Sequence, residues 1–135
     1  MQITTIIKAA AVTVGIYITA LLGGWDNLTI WLATVMLLDY ITGVLVGIIK
    51  KQISSNIGFR GLLKKALILI IVAIGVCMDN VLGLGEPWIR SAVIIWYATN
   101  ESISILENAA KVIDLPTWLV GILKQYQEQQ GGVKK

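Results

Sequence analysis

The residues able to do chemistry in this chain are few, and they stand in apolar surroundings. Asp39 lies midway along "LLDYITGVLVGIIKK", residues 37–51, while Asn100, Glu101, Ser104, Glu107 and Asn108 crowd the stretch "YATNESISILENAA". A carboxylate inside an apolar helix takes up a proton, pairs with a cation or faces water, because burial disfavours its charged form. Catalytic groupings are not apparent. Histidine is absent and Cys77 is the single cysteine, which excludes His/Cys zinc sites, Cys–His nucleophile pairs and an intrachain disulfide. Cys77 reads as a small packing residue in an apolar run, with a reactive thiol as the alternative. The serines and carboxylates present no nucleophile–base pair, and "GFRGLLKK" lacks the GxxxxGK(S/T) spacing whose backbone amides cradle phosphates. No enzyme activity, cofactor or metal site is expected.

The spacing of these residues points instead to helix–helix contact. Asp39, Gly43 and Gly47 follow one another at steps of four, so they share a helix face on which the glycines form a GxxxG pattern. Ala11, Gly15, Thr19 and Gly23 make a similar stripe earlier in the chain. Asn100, Ser104, Asn108 and Lys111 trace a polar stripe, with Glu101 and Glu107 at its margins. Small-residue faces pack within a monomer or between copies, and both readings stand. The aspartate favours self-association, since a mid-helix Asp costs roughly 2.5–3.5 kcal/mol on insertion scales and needs a partner, a proton or water. Glu107, Asn108 and Lys111 also suit a helix emerging from the membrane, a reading that explains Asn100 and Glu101 less well.

The elements that must position these residues are membrane helices. Of 135 residues, 56% are hydrophobic and only 14% charged, against about 25% charged in an ordinary soluble domain. Spanning a hydrocarbon core takes about 20 helical residues. Four segments fit: Ile3 to Leu22, Leu28 to Ile49, about Leu62 to Leu84, and Trp88 to about Leu106. The third has the shortest clean apolar centre, between Lys64/Lys65 and Asp79, and is the weakest of the four. A three-span version, with one weak segment at the interface, is the alternative. The first segment lacks an A-x-A cleavage site in "ITALLGG" and is expected to be retained as a span.

Charge placement orients the chain. With an inside N-terminus and four crossings, Lys8, Lys50, Lys51, Arg60, Lys64, Lys65, Lys111, Lys124, Lys134 and Lys135 fall on the cytoplasmic side, leaving only Arg90 outside. The external connections then carry Asp26, Asp79 and Glu86. The net charge of +3 reflects clusters beside apolar segments rather than a nucleic-acid surface. Trp25, Trp31, Trp88 and Trp118 suit interfacial anchoring. Lys50, Lys51, Arg60, Lys64 and Lys65 are expected to fix topology and touch lipid headgroups. After Pro116, Trp118, Leu119, Ile122 and Leu123 against Lys124, Gln125 and Glu128 predict a short amphipathic helix on the cytoplasmic surface, ending in a mobile "QQGGVKK" tail. The expected division is thus a transmembrane helical domain over 1–113 and a cytoplasmic helix and tail over 114–135.

"LLDYITGVLVGIIKKQISSNIGFRGLLKKALILIIV", then "CMDN", "YATNESISILENAA" and "LPTWL", resembles the toxin-secretion and phage-lysis holins of Gram-positive hosts. The resemblance covers roughly residues 35 to 120, through D-x-x-x-G at Asp39 and Gly43, the basic loop from Ser54 to Lys65, and E-S-x-S-I-L-E-N from Glu101 to Asn108. It departs from the pattern before "LP", where Asp114 replaces glycine. The resemblance implies an all-α protein of the host cytoplasmic membrane without catalytic chemistry. Such a protein assembles as a homo-oligomer in the lipid bilayer and opens lesions that release a cytoplasmic endolysin, or a toxin, with no direct contact required. On that reading Asp39, Gly43, Gly47, Asn100, Glu101, Ser104, Glu107 and Asn108 are pore or oligomer contacts. A small proton- or cation-coupled transporter is the alternative from another class, since an intramembrane acid also suits antiport.

Overall fold

The computed structural model describes residues 2–131, all of whose regular structure is helical: α1 Gln2–Leu21, α2 Asn27–Ile49, α3 Ser55–Leu82, α4 Trp88–Ala110 and α5 Thr117–Gly131. The end of the expected tail, with Lys134 and Lys135, lies outside the described residues.

Local chemistry sets the helix ends. Asp26 caps α2 by accepting a hydrogen bond from the Thr29 N–H at 3.0 Å. Gly83 closes α3 in the left-handed region at φ 60°, its N–H donating to the Asp79 carbonyl. Pro87 precedes α4 and supplies no side-chain cap, so the first turn of α4 is satisfied from another helix: the Asp79 carboxylate accepts from the Ile89 and Arg90 N–H groups, each at 2.9 Å.

Helices α2, α3 and α4 form an up-down-up bundle. The start of α4 lies beside the start of α2, through Arg90 and Asp26, and its far half lies beside the middle of α2, through Asn108 and Asp39. The core draws Leu32, Val35 and Met36 from α2, Ile68 and Val72 from α3, and Ile94 and Ala98 from α4. These recur at three- and four-residue spacing, the stripe by which a helix buries one face. Gly75 lets α3 press onto the start of α4, where an added Cβ would stand 3.2 Å from the Arg90 Cα.

Helix α1 is different, for none of its residues is buried, and Arg90 ties the turn after it to the bundle through the Leu22 carbonyl. By length and composition, α1, α2 and α3 are long and apolar enough to cross a membrane. The third segment, expected to be the weakest span, is therefore among these, while α4 with Arg90, Glu101 and Glu107 is not. Helix α3 is also longer than expected, starting at Ser55 rather than near Leu62. Its apolar centre looked short because Lys65 was counted as a boundary, whereas in the fold the Lys65 side chain turns into the bundle.

Candidate functional site

Two polar layers cross the bundle. The first joins all three helices around Lys65, whose ammonium donates to Asp39 Oδ2 on α2 at 2.8 Å and to Glu101 Oε2 on α4. Their side chains are only 13–18% exposed, so this triad stands largely apart from solvent. Asn108 Nδ2 donates to the Thr42 hydroxyl at 3.2 Å and, at a longer 3.4 Å, to Asp39 Oδ1. Each carboxylate thus has a donor, yet the two share one ammonium. With all three groups ionised the layer carries one excess negative charge, which a proton or a further cation would neutralise.

Beneath the triad lies an open cleft of about 240 Å³ between α2 and the first half of α3. Gly43 and Gly47 form its α2 side and Gly58 and Gly61 its α3 side, with Ser104 and Asn108 at its α4 edge. An added Cβ at Gly43 would come no closer than 3.8 Å to Asn108 Nδ2, so this glycine leaves space rather than relieving a close contact.

The second layer surrounds Arg90, which is 2% exposed. Its guanidinium donates to both Asp26 oxygens, at 2.7 and 3.0 Å, in the forked geometry that suits arginine and carboxylate. It also donates to the Leu22 carbonyl and the Thr29 hydroxyl. These bonds tie the α1–α2 turn to the start of α4. Gly23, at φ +78°, passes so close that an added Cβ would lie 2.7 Å from Arg90 Nε. The Arg90 hydrogen bonds hold the half-exposed Asp26 carboxyl well below the usual carboxylate range.

The polar stripe of α4 divides between two neighbours. Glu101, Ser104 and Asn108 face the triad and cleft, whereas Asn100 and Glu107 face α5, accepting from the Tyr126 hydroxyl and, at 2.9 Å, from Gln127 Nε2. Lys111 reaches back to Asn108 Oδ1 at 3.1 Å. Among the cations grouped at the basic end, Lys50, Lys51, Arg60 and Lys64 are exposed, but Lys65 points inward.

Sequence reasoning missed Lys65 as the partner of Asp39, Arg90 as a buried hub, and Tyr126 and Gln127 as ties to α5. Hairpin arithmetic holds the missing signal for the first: Asp39 and Lys65 each stand 13 residues from Gln52 in the α2–α3 turn. Two antiparallel helices bring such residues level. No group of three or more metal-binding side chains occurs among the described residues.

Residues 16–128, from α1 through most of α5, match the Bacteriophage holin family. The chain belongs to that family. A holin role in general, in a membrane and in phage lysis, follows from this membership, and the family is suggestive of a non-enzymatic protein that oligomerises and works with the lysis machinery. Among the relatives of this chain is an uncharacterized protein of Clostridium perfringens (strain 13 / Type A), 40% identical over 88% of this chain and 89% of its own. An uncharacterized 14.9 kDa protein from the nagH 3' region of Clostridium perfringens is 39% identical over 96% of this chain and 98% of its own. A more distant relative named "Probable holin", from Bacillus phage phi105, is 29% identical over 56% of each chain. No solved structure matches this holin-family chain.

Proposed function

We propose that the chain is a phage-type holin that oligomerises in the bacterial cytoplasmic membrane and opens lesions through which endolysin, or a toxin, leaves the cell. The observation that carries this reading is the family match over residues 16–128, which takes in the whole α2–α4 bundle and its charged triad. Residues 1–113 act as the membrane domain, with four crossings and both termini in the cytoplasm. Residues 114–135 are the cytoplasmic helix and tail.

Depth arithmetic supports α4 as the fourth crossing. Its 23 residues extend about 35 Å at about 1.5 Å per residue, enough for a hydrocarbon core of about 30 Å. Its charges are accommodated because Arg90 and Glu101 have partners on α2 and α3. With Asp26 at the outer edge, Asp39 lies about 20 Å deeper along α2, inside the core and toward the cytoplasmic face.

In the monomer these groups pair with one another inside the bundle. As copies accumulate, contacts between copies replace contacts within them, and the faces bearing Asp39, Gly43, Gly47, Glu101, Ser104 and Asn108 turn toward neighbours or a hydrated lumen. Asn100 and Glu107 join them if α5 leaves α4. Such a change requires two arrangements of similar free energy, and a layer with one unbalanced charge keeps them close. Lys50, Lys51, Arg60 and Lys64 hold the basic end at anionic headgroups, while Lys65 serves the triad.

The same triad favours one second reading, a proton- or cation-coupled transporter. Expressing the chain alone in bacteria separates the two. A holin releases a cytoplasmic enzyme of endolysin size after an abrupt onset; a transporter retains that enzyme and shows saturable, gradient-dependent movement of a small substrate.

A further inference from the structure

The Lys65 layer of the bundle, with all three groups ionised, has one unbalanced negative charge, and α1 has one unbalanced positive charge. Lys8 is the sole charged residue of α1, is exposed, and has no ion pair among the described residues. It lies 14 residues before Leu22, while Asp39 lies 13 residues after Asp26. In a bilayer that both helices cross, each is therefore about 20 Å from the α1–α2 turn, at the same depth. The residues before Lys8 fall level with Gly43 and Gly47, where the cleft is open.

The chain's own α1 is directed elsewhere. Arg90 grips the Leu22 carbonyl, Thr29 donates to the Gly24 carbonyl, and Gly24 N–H closes back on Thr19. This hydrogen-bonded turn sets the course of α1, along which no side chain is buried.

We infer that α1 of a second copy docks along the cleft, its Lys8 ammonium joining Asp39 and Glu101 beside Lys65. Copies inserted with one orientation bring Lys8 to the triad's depth without any shift along the membrane normal. The added cation cancels the excess charge where water does not screen it. Each copy gives an α1 and receives one, so the contact either closes as a reciprocal pair or runs head to tail into a ring or chain. This inference rests on the holin reading and names the element through which its copies join.

Disulfide trapping between two tagged full-length chains in membranes, both carrying Cys77→Ser, tests it. One chain carries Ile3→Cys; the other carries Gly43→Cys or, as a second variant, Val44→Cys. Mixed disulfide dimers should exceed by several-fold those formed with Leu45→Cys, which lies nearby on another face of α2. Lys8→Glu in the Ile3→Cys chain should reduce the product several-fold, and Lys8→Arg should preserve it. Yields no higher than with Leu45→Cys, or no effect of Lys8→Glu, overturn the inference. So does a doubly substituted chain that closes only on itself, since that would place its own α1 in the cleft. Lesions without trapping would refute this contact alone, and trapping without lesions would refute the holin reading alone.

Discussion

Lys65 of α3 and Asp39 of α2 meet at 2.8 Å in the interior of the bundle, with Glu101 of α4 on the same ammonium. This relationship makes Asp39 half of an interhelical ion pair rather than an isolated electrostatic cost. It also makes Lys65 a group on which all three bundle helices converge.

Removing the cation should therefore do more harm than removing either anion. Lys65→Met leaves two carboxylates facing each other and should cost about 3–5 kcal/mol, as breaking a buried pair does. Asp39→Asn leaves a balanced Lys65–Glu101 pair and should fold, while shifting the time of lysis onset. Thermal unfolding in detergent checks the first expectation. Turbidity traces check the second, and an unchanged onset would make Asp39 a packing detail.

The glycines should separate by what their missing Cβ atoms would meet. Gly75→Val pushes α3 against the Arg90 backbone, 3.2 Å away, and should lower stability by about 1–3 kcal/mol through overpacking. Gly43→Ile fills an open cleft and should leave the monomer folded but change oligomer size and lysis timing. Unfolding curves and cross-linking ladders of both variants measure the contrast.

The Arg90 layer should give an acid-sensitive component of stability. Asp26 has a folded-state pKa depressed below its ordinary 3.8, so its contribution is complete above that value and fades as pH falls through the depressed one. The wild-type protein should lose stability below about pH 4, and Asp26→Asn should flatten that part of the profile. Melting temperatures across the acid range report the difference.

Helix α5 should be separable from the bundle. Tyr126→Phe removes the hydroxyl that donates to Asn100, a loss of about 1 kcal/mol, and should speed proteolysis within α5 while α2–α4 stay protected. Limited digestion followed by mass spectrometry reads this directly.

The helices were legible because apolar run length, Gly and Pro breakers and Lys/Arg placement act locally along the chain. The shared face of Asp39, Gly43 and Gly47 was legible for the same reason, as helical periodicity alone sets it, and all three line one cleft. Pairing between helices was not, because it depends on relative depth and rotation. Lys65 looked like part of a headgroup cluster beside Lys64, yet adjacent helical residues point about 100° apart, and one faces out while the other faces in. Arg90 looked like a stray outer cation because its partners, Asp26, Thr29 and the Leu22 carbonyl, are contributed by a turn more than sixty residues earlier. The polar stripe of α4 was visible as a stripe, but its division between α2/α3 and α5 follows from where α5 folds back.

The most direct test is co-expression with a cytoplasmic muralytic enzyme while membrane potential and culture turbidity are followed together. The holin account predicts a period of normal growth, then sudden collapse of the potential, followed at once by lysis. Steady growth with an intact potential, despite the protein accumulating in the membrane, would contradict it.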